Sequence, residues 1–177
     1  MVIEIVYETH STSEDNERGV ASGWVHSRLS AVGREQARNL GARRQDDGVD
    51  VVFWSDLRRT VETVEIAFAG SDIPVLLDWR LRECDYGAET QHPVEKHHAE
   101  RCGHVDLPYP GGESWSQAVQ RVRGFLDDLP LRWNGCRVLL VGHVATRWAL
   151  DHLISGVSLT ELCDADFAWP KGLGVPL

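Results

Sequence analysis

Met1-Val-Ile-Glu-Ile-Val-Tyr-Glu-Thr-His10-Ser-Thr-Ser-Glu-Asp-Asn16 is the stretch whose reading decides the fold. Apolar side chains at Val2, Ile3, Ile5 and Val6 stop abruptly at a polar run centred on His10, the pattern of a buried strand that hands one imidazole to a loop. In an open α/β sheet, loops at the carboxyl ends of strands are where ligands bind. The rest of the chain is therefore read for residues that build a site around His10.

Further strand and helix patterns alternate. Ser11 to Arg28 reads as a long loop anchored by Trp24, and Ser30 as the N-cap of a helix from about residue 30 to 45. Val49 to Trp54 is a short apolar run behind the turn signal Asp46-Asp47-Gly48, a buried strand. Asp56 to Ala69 carries Leu57, Val61, Val64 and Phe68 at helical spacing, with Ser55 at the N-cap position and Arg58 and Arg59 in the first turn. Basic residues there oppose the helix dipole unless an anion neutralises them. Ile73 to Leu77 reads as a third strand, and Asp78 to Pro110 as a long mixed segment with a short helix over Val94 to Cys102. Ser114 caps a helix carrying Trp115, Ala118, Val122, Phe125 and Leu126, Arg137 to Val141 is the last strand, and a helix follows from about Ala145 to Ile154. Short continuous apolar strands alternating with helices predict a three-layer α/β/α sandwich on a mostly parallel sheet, one domain over residues 1–177. Residues 84–110 are expected to form a lid or insert, and the tail, 164–177, has too little pattern to place.

The chain has 177 residues, enough to bury roughly 70% of the surface exposed when unfolded without structural metal. With 18 Lys plus Arg against 27 Asp plus Glu, its net charge of −9 argues against nucleic acid as a partner, since phosphate neutralisation needs a basic face. There is no apolar run near 20 residues and no secretory h-region, and Cys84, Cys102, Cys136 and Cys163 form no Cys-x-x-Cys pair. Reduced thiols in a cytoplasmic protein away from membranes are expected, and a homodimer is left open. His92, His97, His98, Cys102 and His104 crowd one segment, but their order fits no familiar zinc spacing, so no metal is expected.

In a parallel sheet His10, after the first strand, and His143, after the last, fall on the same edge, with Arg59 just past the second strand. Two imidazoles and a guanidinium suit the peripheral oxygens of a phosphoryl group. One imidazole can attack phosphorus, the other can donate a hydrogen bond, and a carboxylic acid, for which Glu83 is the candidate, can protonate the departing oxygen. Each residue also has an ordinary reading: a hydrogen-bonded strand-end histidine, a surface arginine, or an ion pair of Glu83 with Arg80 or Arg82.

These residues resemble the histidine phosphatase, or phosphoglycerate mutase-like, superfamily. Thr9-His10-Ser11-Thr12-Ser13-Glu14-Asp15-Asn16 corresponds to its opening Arg-His-Gly element and keeps the His-to-Asn spacing. Gly23-Trp24, Leu29-Ser30 and Gly33-Arg34-Glu35-Gln36-Ala37 look like its Gly-Trp, Leu-Thr and Gly-x-x-Gln-Ala elements. Ser55-Asp56-Leu57-Arg58-Arg59-Thr60-Val61-Glu62-Thr63, Leu81-Arg82-Glu83-Cys84-Asp85-Tyr86-Gly87, Pro110-Gly111-Gly112-Glu113-Ser114 and Val141-Gly142-His143 are similar to the stretches that follow. The resemblance implies a fold of this type, phosphorylation of His10 with hydrolysis by water, Arg59 and His143 on the phosphoryl oxygens, Glu83 as acid then base, and no organic cofactor. It implies a small phosphorylated substrate, with Asn16, Thr9, Ser11, Trp24 and Val144 around it. Length favours a phosphatase over a mutase.

The departures are Thr9 for the family's arginine, Ser11 for the following glycine, and Val144 for the glycine after His143. Losing one preorganised charged contact costs ~2.7–4 kcal/mol in a transition state. Arg18, Arg28, Arg58 or Arg82 are the candidates for a replacement cation. Two alternatives stay open beside the phosphatase: acid/base chemistry on a non-phosphorylated substrate, and a catalytically silent binding protein.

Overall fold

The computed structural model describes residues 2–165 and 173–176. Strand β1 (Glu4–Thr9) leads through the His10 loop into the short helix α1 (Glu14–Arg18), then helix α2 (Ala31–Arg44), strand β2 (Val51–Trp54), helix α3 (Arg58–Ala67) and strand β3 (Val75–Leu77). After a segment containing helix α4 (Val94–Glu100) come helices α5 (Trp115–Asp128) and α6 (Pro130–Trp133), strand β4 (Arg137–Gly142), helices α7 (Val144–Leu153) and α8 (Leu159–Asp164), and strand β5 (Leu173–Pro176). The sheet order is β3-β2-β4-β1-β5, with β1, β2, β3 and β4 parallel and β5 antiparallel to β1. The mostly parallel α/β architecture expected from the sequence is the one observed.

Side-chain alternation along each strand assigns the layers. Ile3, Ile5 and Tyr7 of the first strand region, Val51 and Phe53, and Val138 and Leu140 pack with Val119, Val122 and Phe125 of α5 and Ala149 and Leu150 of α7. Val6, Val52, Leu139 and Val141 face the other way, onto Leu40 of α2 and Val64 and Ala67 of α3. A strand sandwiched in this way has no solvent face, so its sequence reads as a continuous apolar run. β3 is the exception: Val75, Leu76 and Leu77 are exposed at the sheet edge.

Several boundaries differ from expectation. α3 starts at Arg58, and its N-cap is Leu57 with no side-chain cap. Ser55 does not cap it, because its hydroxyl is taken by Thr60 Oγ1 and by the His143 ring. β3 begins two residues after Ile73, and β4 includes Gly142. Part of the tail, which the sequence leaves unplaced, supplies β5, whereas residues 166–172 and 177 lie outside those described. The expectation of four reduced thiols is corrected: Cys102 and Cys163, 61 residues apart with Cα atoms 5.2 Å apart, form a disulfide, a pairing that sequence spacing cannot reveal. Cys84, buried, and Cys136 are free thiols.

Candidate active site

The register of the sheet brings the chemistry to one edge. Thr9 pairs with Gly142, and Trp54 with Val141, so the residues that follow, His10, His143 and Ser55, leave the same carboxyl-terminal rim. Gly142 is required there, since a Cβ on it would lie 2.5 Å from Thr146 Oγ1. His143 is the N-cap of α7, and its N–H reaches Thr146 Oγ1. α2 clamps the His10 loop from outside: Gln36 Oε1 accepts from the N–H and hydroxyl of Thr12, and at Gly33 a Cβ would lie 1.9 Å from the Thr12 carbonyl oxygen.

His10, Arg59 and His143 are all buried and in contact. The His10 and His143 ring centroids are 4.9 Å apart. His10 Nδ1 lies 2.8 Å from the Ser11 carbonyl, which can only accept, so Nδ1 carries the proton and Nε2 presents a lone pair. That lone pair accepts from Arg59 Nε at 3.2 Å. Arg59 Nη2 donates to His143 Nδ1 at 3.2 Å, so His143 has the opposite tautomer, its Nε2–H directed at Ser55 Oγ (2.6 Å) and Thr60 Oγ1 (3.0 Å). The guanidinium is fixed by the carbonyls of Gly23 and Val25. Burial, then the Arg59 charge, lower the pKa of His10 to about 3, and the same causes hold His143 well below the ordinary imidazole range. Two neutral imidazoles thus face one cation.

Glu83 approaches from the segment after β3. Its carboxylate accepts from the N–H groups of Cys84 (2.9 Å), Val144 (3.2 Å) and Ala145 (3.0 Å), the last two at the start of α7. Burial raises its pKa, and these amides and the Arg59 charge oppose the rise only in part. It is a carboxyl group predisposed to stay protonated above the ordinary carboxylate range. The Pro-Gly-Gly-Glu-Ser motif holds this segment: Glu113 pairs with Arg121, and Arg121 donates to the carbonyls of Arg80, Arg82 and Glu83.

Thr9, His10, Asn16, Arg59, Glu83 and Val144 line one cavity of about 290 Å³. His143 lies behind Arg59. Asn16 reaches the cavity, but its side-chain oxygen is occupied by Ser13 in the capping box of α1. Ser11 is buried against Thr63 and is not on the cavity wall. Trp24, expected on the pocket wall, is not on it either: its indole N–H donates to the Glu83 carbonyl, and Arg82 stacks on its ring. None of the four expected replacement cations lines the cavity. Arg18 pairs with Asp15, Arg58 with Glu62 and Arg82 with Asp56, and Arg28 is exposed. Among the described residues the second cation on the wall is Arg101, which sequence reasoning missed; it comes from the 84–110 segment, as do His97, His98, Tyr86 and Tyr109. Nothing in the local pattern of that segment distinguishes these residues from solvated ones.

Sequence and structure comparisons agree with this geometry. The model of the histidine phosphatase superfamily (branch 1) matches residues 9–168. The chain belongs to this superfamily. It is 31% identical to a 2,3-bisphosphoglycerate-dependent phosphoglycerate mutase of Methylobacterium sp. (strain 4-46), over 98% of this chain and 88% of the mutase. It is 30% identical to phosphoserine phosphatase 1 of Hydrogenobacter thermophilus, over 90% and 80% of the two chains. The structure of YhfR from Bacillus stearothermophilus superposes with a TM-score of 0.83 at 25% identity, covering 94% of this chain and 87% of that one. Membership in a superfamily of phosphatases and mutases supports phosphatase-type chemistry on a small phosphorylated molecule.

Among the described residues, no helix is long and apolar enough to cross a membrane. The only grouping of three metal-ligating side chains among them is Cys102, Cys163 and Asp164, of which the two cysteines are bonded to each other. The His-rich segment does not converge: His92 pairs with Glu89, His97 Nε2 meets the Glu89 carbonyl, and His104 stacks on Tyr109.

Proposed function

We propose that the protein is a phosphatase that hydrolyses a small phosphate monoester through a phosphohistidine on His10. The observation that carries this reading is the His10 Nε2 lone pair, aimed at Arg59 in a cavity that also contains Glu83. A phosphoryl group entering there draws the Arg59 Nε–H from Nε2 onto one of its oxygens and meets the released lone pair in line with the departing oxygen. The Nε2–P bond forms as the P–O bond breaks, and the leaving oxygen takes the Glu83 proton. Water then gives a proton to the Glu83 carboxylate and attacks phosphorus, breaking the N–P bond and releasing inorganic phosphate. His143 stays neutral through burial and then the Arg59 charge, and from behind the guanidinium its Nδ1 lone pair holds Arg59 in place to receive the phosphoryl oxygens.

Thr9 leaves the site with less positive charge than the family pattern. Among the described residues the wall has two cations, Arg59 and Arg101, and both are engaged with carbonyl oxygens. This supports, as a second reading, acid/base chemistry on a non-phosphorylated substrate. One experiment separates the two: phosphate release from a panel of monoesters, with mass spectrometry for phosphohistidine in acid-avoiding quench. Wild type is expected to release phosphate and trap label on His10, and His10→Ala to do neither. Absence of phosphate release by wild type across the panel sinks the phosphatase reading.

A further inference from the structure

The phosphoryl-binding residues account for only part of the cavity. Tyr86, Tyr109, Trp115 and Trp148 also line it, together with His97 and Arg101. Their rings form one connected wall: Tyr86 lies 4.3 Å from His97 and 5.2 Å from Tyr109, and Trp115 lies 6.1 Å from Tyr86 and 4.1 Å from Trp148, centroid to centroid. Arg101 sits 5.7 Å over the Trp148 ring, its Nε and Nη2 donating to the carbonyls of Cys163 and Ala165.

This wall contains buried polar atoms with no hydrogen-bond partner among the described residues: the Tyr109 hydroxyl, the Trp115 indole N–H and His97 Nδ1. Burial keeps the Tyr109 phenol protonated, and the nearby Trp115 indole N–H opposes this only in part. His97 Nε2 lies 2.8 Å from the Glu89 carbonyl, so Nε2 carries the proton and Nδ1 is a lone pair; burial lowers its pKa and keeps the ring neutral. All three atoms are shut away from the cavity, so what the wall presents to a ligand is ring surface. Aromatic rings prefer offset or edge contacts at the centroid separations seen across this wall, and a ring entering it can adopt the same ones. The volume of about 290 Å³ is at the small end of the range for ligand pockets, room for a phosphoryl group and a single ring system.

We propose that the alcohol released by this enzyme is an aromatic one: the substrate is the phosphate monoester of a small aromatic alcohol. The proposal rests on the phosphatase reading and specifies its substrate class. The aromatic ring lies against Tyr86, Trp115 and Trp148.

The test compares primary phosphate esters, whose leaving groups have similar basicity, so that differences in kcat/KM report the chamber. Benzyl and 3-hydroxybenzyl phosphate are set against glycerol 3-phosphate, phosphoserine and 3-phosphoglycerate. The benzyl esters are expected to exceed the other three by about tenfold or more, and Trp148→Leu is expected to reduce that preference severalfold. Equal turnover of all five, or preference for the carboxylate-bearing esters, overturns the proposal while leaving the phosphatase reading intact. If no ester is turned over, the phosphatase reading fails, and binding then decides the chamber. Tryptophan fluorescence titration must show benzylphosphonate binding about tenfold more tightly than ethylphosphonate, and equal affinities overturn the proposal.

Discussion

Replacing Arg59 by methionine removes the cation that both histidines face while keeping a long side chain in its channel. The guanidinium makes two charge-assisted bonds to loop carbonyls, Nη2 to Gly23 at 2.9 Å and Nη1 to Val25 at 3.1 Å, besides its contacts with the two imidazoles. Hydrogen bonds to charged groups contribute ~1.5–3 kcal/mol each, so losing these two costs about 3–6 kcal/mol. Against this, an effective penalty of several kcal/mol for burying the ion is relieved, and the net change in unfolding free energy is expected below ~3 kcal/mol. Activity has no such compensation. A preorganised donor lost from the transition state costs roughly 100- to 1000-fold in kcat. Removing the charge also removes the second-largest cause of the depressed His10 pKa, now about 3, while burial, the largest, remains. The acid limb of kcat/KM, set by protonation of the nucleophile, therefore moves to higher pH but stays below the ordinary imidazole value. Urea denaturation measures the first quantity, and steady-state phosphate release over pH 3–8 the others. A loss of activity under about tenfold, or an acid limb that does not move, refutes the assignment of Arg59 to the phosphoryl group.

Glu83→Gln, which keeps the contour but provides no carboxyl proton, is expected to lower kcat by about 100- to 10,000-fold on alkyl esters. The folded-state pKa of Glu83 is raised, so its stabilising contribution is present below the unfolded value of 4.5 and lost as pH rises through the folded one. Wild-type activity should fall over the same window as the acid ionises, and a Gln variant that keeps this alkaline limb would remove Glu83 from the acid role. Gly33→Ala, in an ordinary helix, would stabilise by up to about 1 kcal/mol. Here the new Cβ meets the Thr12 carbonyl at 1.9 Å, and a loss of ~1–3 kcal/mol is expected by calorimetry, with reduced turnover through the displaced His10 loop. A Gly33→Ala variant more stable than wild type would show that the clamp on this loop is not tight.

Much of the fold was legible because burial leaves a direct mark on local sequence. A strand covered on both faces must be apolar at every position, which is why Ile5 to Tyr7 and Val138 to Val141 stand out. Caps leave a similar mark: Ser30 and Ser114 are the N-caps of α2 and α5, since their hydroxyls accept from N–H groups three residues on. Ser55 was misread by that same logic, because a hydroxyl in cap position serves a partner 88 residues away as readily as its own helix. β3 and β5 were hard to bound or find, being short edge strands whose positions are set by pairing rather than by composition.

For the site, the sequence by itself determined which residue types stand at the strand ends: His10, Arg59 and His143 follow β1, β2 and β4, and the parallel register makes their meeting inevitable. Only the tertiary structure decided how they meet. The tautomers of the two histidines depend on the Ser11 carbonyl and the Ser55 and Thr60 hydroxyls, and the pKa of Glu83 on the amides of α7 and its own burial. Trp24 turned from wall to support, and Arg101, His97, Tyr109, Trp115 and Trp148 converged from three separate segments to close the cavity. Periodicity reports what a residue does for its own element. The aromatic chamber is made of contacts between elements distant in sequence, for which no local pattern exists.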